Sequence, residues 1–162
     1  MNDPLASYLN DHLAGARFAI QLLERIRDSH AGQPLGEFAV KMLIEIDEDR
    51  AVLQELSEQI GTGGSTFKEI ASWVAEKASR FKLRVGGDPE LGTFEALEIL
   101  SLGILGKLKL WQALSELKPL NPKFQSVDLD ELIARAEAQH AKAEIQRLAA
   151  ARVTFDDSDA TG

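Results

Sequence analysis

Cysteine is absent from the 162-residue sequence, and aromatic residues make up only 6% of it. The missing thiols exclude a disulfide scaffold, a thiolate metal site and a cysteine nucleophile. No alternating strand pattern, internal repeat or low-complexity block is present. Long apolar runs are missing as well. The most apolar stretch, Leu97 to Trp111, is too short to span a bilayer and carries Glu98, Lys107 and Lys109.

The charge balance is acidic, with 26 Asp and Glu residues against 18 Lys and Arg residues, for a net charge of −8. Such a chain is repelled by phosphate backbones and by anionic lipid surfaces. The first residues also lack the basic and apolar regions of a signal peptide. We therefore expect a cytoplasmic protein with no nucleic-acid partner and no membrane partner.

Prolines and capping side chains divide the chain into five predicted helices. Asp3-Pro4 and Asp88-Pro89 are typical helix starts, because Asp caps the first turn and Pro fits its first position. Thr66 and Asp128 each begin a capping box. Apolar residues then recur at spacings of three and four, which indicates packed helices. We predict an all-α bundle domain of residues 1–154 and a disordered acidic tail of residues 155–162, with helices over about 3–30, 34–60, 66–85, 88–117 and 128–153.

The lengths and order of these helices resemble the ferritin-like four-helix bundle, in which two long hairpins are joined by a crossover. The shorter third predicted helix would form that crossover. A short motif, Glu137-Ala138-Gln139-His140, resembles one Glu-x-x-His half-site of the di-metal centre in that family. The resemblance covers nearly the whole chain before the tail. A plain up-down five-helix bundle is the alternative architecture.

Charged and imidazole side chains interrupt the apolar stripes at positions that should face the bundle interior. Counting residues from the helix ends places Lys107 level with Asp49 and Glu137, and Arg147 level with Glu98. Inward charges need partners, because an unpaired buried charge is costly. We therefore predict a buried, ion-paired polar cluster in place of a metal centre, made of His12, Glu45, Asp49, Glu98, Lys107 and Arg147.

Metal ligation is the alternative interpretation of these side chains, and the resemblance implies iron or manganese as the metal. The positions along the bundle axis, estimated by counting residues from the helix ends, argue against one shared metal centre. Glu98 and Glu137 differ by about ten residues, which is roughly 15 Å along a helix, whereas metal–ligand bonds measure about 2 Å. In this alternative the ligands would come from Glu45, Glu48, Asp49, Glu98, Glu137 and His140.

No nucleophile paired with a base can be identified, so we expect a non-catalytic binding or structural role without a cofactor. A di-iron or di-manganese carboxylate protein that handles oxygen or peroxide is the first alternative function. A small-molecule binder that uses the cavity between the hairpins is the second. Apolar residues on a further face of the fourth predicted helix, namely Ile99, Leu102 and Leu110, predict a homodimer through that helix.

Overall fold

The computed structural model describes residues 3–61, 76 and 87–156, and these residues form an all-α bundle of four long helices. The helices are the first, second, fourth and fifth of those predicted. The third predicted helix, apart from residue 76, and residues 157–162 of the predicted tail lie outside the described residues. The elements are α1 (Pro4–Ser29), α2 (Pro34–Ile60), α3 (Pro89–Leu117), a short 3-10 helix (Pro122–Phe124) and α4 (Leu129–Phe155).

The predicted caps are present at three helix starts. The Asp3 carboxylate accepts a hydrogen bond from the Leu5 amide at 2.9 Å, and Asp88 caps α3 in the same way. Asp128 accepts from the Glu131 amide at 3.0 Å and begins α4. These bonds satisfy amide groups that have no partner inside the helix.

The four helices form two antiparallel hairpins. The turn at residues 30–33 joins α1 to α2, and the segment around the 3-10 helix joins α3 to α4. His30 Nε2 lies 3.1 Å from Thr93 Oγ1, so the end of α1 meets the start of α3. Consequently α1 and α3 are also antiparallel, and α2 ends at the opposite end of the bundle from the start of α3.

The apolar core is divided into two clusters along the bundle axis. One cluster lies near the start of α1 and includes Leu9, Leu53 and Trp111. The other lies near the 30–33 turn and includes Leu23, Met42 and Leu100. On α2, α3 and α4, the positions between the two clusters are polar: Asp49, Lys107 and Gln139.

The inner stripes of α1 and α2 differ from the predicted ones by one residue at several positions. The predicted stripe of α2 includes Glu45, but the buried residues are Ile46 and Asp49, and Glu45 is half-buried. On α1 the buried residue is Leu13, and His12 is half-buried. On each helix the predicted and the observed stripe share several apolar positions. The spacing of apolar residues alone therefore does not distinguish two helix faces that lie 100° apart.

The predicted dimer face on α3 is smaller than expected. Leu110 is fully buried in the core, and Ile99 is half-buried, whereas Leu102 is 63% exposed. Leu110 therefore needs no second subunit to cover it. Among the helices of the described ranges, none combines the length and the apolar character that a membrane span requires.

A pair of glycine substitutions tests the packing of the turn between α1 and α2. A Cβ atom on Gly36 would lie 2.2 Å from the backbone oxygen of His30, whereas a Cβ on Gly15 would meet nothing within 4 Å. We expect Gly36→Ala to destabilise the protein by about 1–3 kcal/mol. We expect Gly15→Ala to stabilise it by about 0.5–1 kcal/mol, because alanine favours the helix. Chemical denaturation followed by circular dichroism measures both, and equal effects would contradict this packing.

Candidate functional site

The Lys107 ammonium lies in the middle of the bundle and joins three helices. Its Nζ atom donates to Asp49 Oδ2 on α2 at 2.5 Å and to Gln139 Oε1 on α4. Gln139 in turn donates from Nε2 to Asp49 Oδ2 at 3.1 Å. The side chain of Asp49 is 1% exposed and that of Lys107 is 13% exposed. We call these three residues the core layer.

A second set of charges surrounds the core layer between α2 and α4. Arg135 Nε lies 3.3 Å from Asp49 Oδ1, without the geometry of a hydrogen bond, and Arg135 also pairs with Glu48. Farther along the interface between α2 and α4, Lys142 Nζ lies 2.9 Å from Glu45 Oε1. Together with the core layer, these pairs comprise three carboxylates and three cations. The group is therefore neutral, as a partly buried polar cluster should be.

Burial and neighbouring charges shift the ionisation of two members of this group. Burial lowers the pKa of Lys107, and the Asp49 carboxylate opposes that effect only in part. Burial by itself raises the pKa of Glu45, but the hydrogen bond and charge of Lys142 outweigh it, with smaller effects from Gln139 and Arg135. The pKa of Glu45 therefore lies below its usual value, and its carboxylate is held in the charged form.

A small cavity of about 70 Å³ adjoins the core layer between α1, α2 and α3. His12, Asp49, Lys107 and Trp111 are among the residues that line it. The His12 ring packs edge-on against Tyr8, with the ring centres 4.7 Å apart, and burial lowers its pKa. This space and its polar lining suit one or more water molecules.

The charges that were predicted at Glu98 and Arg147 form a separate group, away from the core layer. Arg147 binds Glu144 through two hydrogen bonds of 2.8 Å, and its Nη1 lies 3.5 Å from Glu98. The buried Ser101 hydroxyl donates to Glu144 at 2.5 Å. The bonds from Arg147 and Ser101 lower the pKa of Glu144 to about 2. This group ties α3 to α4 and does not extend the core layer.

The six alternative metal ligands do not converge. Glu137 and Glu98 are exposed and His140 is half-buried, while Glu48 pairs with Arg135. Within residues 3–61, 76 and 87–156, no three His, Asp or Glu side chains lie where they could hold one metal ion. Asp49 is the only one of the six that is fully buried, and its carboxylate already contacts the Lys107 ammonium through Oδ2 and lies 3.3 Å from Arg135 Nε through Oδ1. The donor set of this site therefore does not fit a di-metal centre.

Sequence reasoning missed Gln139 and Arg135, which complete the site. The motif over residues 137–140 drew attention to Glu137 and His140, yet Gln139 is the buried member. The missed signal was the stripe Leu132, Ala136, Gln139 and Ala143, whose members are all buried on α4. A glutamine on an otherwise apolar stripe indicates a buried polar partner on a neighbouring helix.

Comparison of the whole chain with protein-family models, with curated proteins and with solved structures finds no match. The geometry of the core layer and its surroundings is therefore the basis on which a function can be argued.

Removing the Lys107 ammonium should leave a buried carboxylate without its main partner. We expect Lys107→Met to lower the free energy of unfolding by about 3–5 kcal/mol. The double variant Lys107→Met with Asp49→Asn should regain most of that loss, since the amide needs no cation. Lys142→Met is the control on a more exposed pair and should cost only about 0–1 kcal/mol. Urea denaturation compares the four proteins, and a loss at Lys107 no larger than the loss at Lys142 would contradict the assignment.

The lowered pKa of His12 predicts a pH dependence of stability. Below its ordinary pKa of 6.5, the unfolded chain binds a proton at this residue more readily than the folded chain does. The free energy of unfolding should therefore fall as the pH drops from about 7 to about 5.5, above the range in which carboxylates titrate. His12→Gln should make this slope shallower. Denaturation curves recorded at several pH values in this range measure the slope. A slope in His12→Gln equal to that of the parent would show that His12 does not cause this pH dependence.

Proposed function

We propose that this chain is a ferritin-like bundle in which an ammonium–carboxylate contact takes the place of a metal centre, and that its role is binding or structural and not catalytic. The observation that carries the proposal is the position of Lys107 Nζ, which contacts both Asp49 and Gln139 in the middle of the bundle. A cation fixed at this point repels a second cation. It also engages Asp49, the one fully buried carboxylate among the described residues.

The arrangement of the helices supports the ferritin-like part of the proposal. Both hairpins are antiparallel, and α1 and α3 pack against each other in opposite directions. As a result, α2 ends and α3 begins at opposite ends of the bundle. Two long hairpins in this relation are the layout of a ferritin-like bundle.

The engagement of the core-layer side chains with one another supports a non-catalytic role. Lys107 donates to Asp49 and to Gln139, and Asp49 Oδ2 accepts from both Lys107 and Gln139. A catalytic acid or base needs a reacting group within hydrogen-bond reach. The adjoining cavity, at about 70 Å³, has room for water and for little else.

A homodimer through α3 stays a prediction. Of the three residues that suggested it, only Leu102 is strongly exposed. The dimer interface would therefore have to extend beyond the residues named from the sequence.

Metal content separates this proposal from the di-iron or di-manganese alternative. We expect protein purified without chelator to carry far less than one iron, manganese or zinc ion per chain, as measured by elemental analysis. Added ferrous iron in air should give no rapid oxidation burst. A content near two metal ions per chain, lost in Glu137→Ala or His140→Ala, would overturn the proposal.

A gain-of-binding variant tests whether the ammonium is what excludes a metal. Lys107→Glu combined with Gln139→His should place two further ligand-type side chains beside Asp49, since both residues now contact it. Three such ligands and a water suffice for zinc. We expect calorimetry to show one zinc ion bound by this variant and none by the parent. The control is Lys142→Glu with Glu137→His, which introduces the same two residue types, Glu and His, outside the core layer.

A further inference from the structure

A second, much larger space opens at the end of the bundle where the 30–33 turn lies. It is a cleft of about 650 Å³ between the end of α1, the start of α2, the start of α3 and the end of α4. Sites for small organic molecules fall in this range of volume, and they commonly lie where several elements meet. None of the three core-layer residues lines the cleft. The cleft is therefore separate from the core layer, and a ligand bound in it would not touch Lys107.

Small and apolar side chains form most of the cleft. Ile26 and Ala96 are buried in it, and Leu35 and Ala150 are half-buried. On the α3 side, a Cβ atom added to Gly92 would meet nothing within 4 Å. The cleft is thus kept open by the small residues on its walls, and its surface favours an apolar body.

Among the uncharged polar groups that line the cleft, those of Gln146 and Thr154 have no hydrogen-bond partner in the described part of the chain. No hydrogen bond within the described part of the chain engages the Gln146 amide. The Thr154 Oγ1 atom is buried and has no hydrogen-bond partner among the described residues. A buried hydroxyl without a partner costs free energy. A molecule bound in the cleft would supply the partner that this hydroxyl lacks.

Charged groups lie at the rim and are already engaged or open to solvent. Asp88 caps α3 by accepting from the Glu90 amide, and the Glu90 side chain is exposed. Arg25 has interactions of its own within the chain. The His30 ring is held between Gln33 Oε1 at 3.3 Å and Thr93 Oγ1 at 3.1 Å. The inner part of the cleft therefore offers no free charge to a ligand.

We propose that this cleft binds an uncharged, mostly apolar small molecule that carries a carbonyl, hydroxyl or amide group. The apolar floor would hold the body of the molecule, and Gln146 and Thr154 would hydrogen-bond its polar group. An anionic ligand would meet the rim carboxylates Asp88 and Glu90, and a cationic ligand would find no free carboxylate inside.

Nile red, an uncharged dye with one carbonyl group, is a suitable probe, because its fluorescence rises when it leaves water. Titrated into the full chain, it should give a saturable signal with about one site per chain. The anionic dye anilinonaphthalene sulfonate should bind at least about tenfold more weakly. A signal that does not saturate, or tighter binding of the anion, would overturn the proposal.

Matched substitutions locate the probe. Ala150→Phe fills the cleft and should weaken Nile red binding by at least about tenfold through steric exclusion. Ala134→Phe adds the same ring to an exposed position of α4 that does not line the cleft, and it should leave binding unchanged. Thermal melts establish that both variants are folded. A folded Ala150→Phe chain that binds like the parent would place the dye elsewhere and refute the site.

Gln146→Leu removes the polar group and keeps a side chain of similar size. This variant tests the polar contact if Ala150→Phe does not fold. It should weaken binding of Nile red by about fivefold, the value of one neutral hydrogen bond. Binding of pyrene, a hydrocarbon without a polar group, should be unchanged. A merely structural role of Gln146 would weaken both dyes equally and would contradict the proposed contact.

Discussion

The contact between the Lys107 ammonium and the Asp49 carboxylate constrains how the two hairpins fit together. Asp49 belongs to the first hairpin, whereas Lys107 and Gln139 belong to the second. Two charges that are buried to this extent are tolerated only when they meet, because each one alone would face a large desolvation cost. The contact therefore fixes the rotation of α2, α3 and α4 and the height at which the hairpins align.

Specificity, more than stability, is the expected benefit of such a layer. The apolar clusters on either side of it are made largely of leucine and alanine, which can pack in several registers with similar energies. A sliding or rotated hairpin would separate Lys107 from Asp49 and leave both buried without partners. Single polar positions fix register in this way in other helical assemblies. The surrounding pairs of Arg135 with Glu48 and Lys142 with Glu45 favour the same alignment.

The features that sequence reasoning predicted well are those that depend on local chemistry. Helix starts at Asp3, Asp88 and Asp128 follow from the caps, which involve neighbours two or three residues away. Lys107 and Asp49 were predicted to lie at the same height along the bundle axis by counting residues, because each residue of a helix adds a fixed rise. The face of each helix that points into the core was harder to predict, because successive residues lie 100° apart around the helix axis. Glu45 and Ile46 differ by that single step, and only the packing of the second hairpin decides which of them is buried.

On α4 as well, a shift of the inward face by about one residue would change the function that the side chains support. In the stretch of residues 137–140, an inward face carrying Glu137 and His140 would offer metal ligands, whereas an inward face carrying Gln139 offers a neutral partner for an ammonium. The structure buries Gln139 and exposes Glu137. Ala136 and Ala143, three residues before and four after Gln139, are both buried as well. The apolar neighbours of a motif therefore decide which of its polar members enters the core. The cleft at the turn end was beyond such reasoning, since its walls come from four helices whose ends meet only in three dimensions.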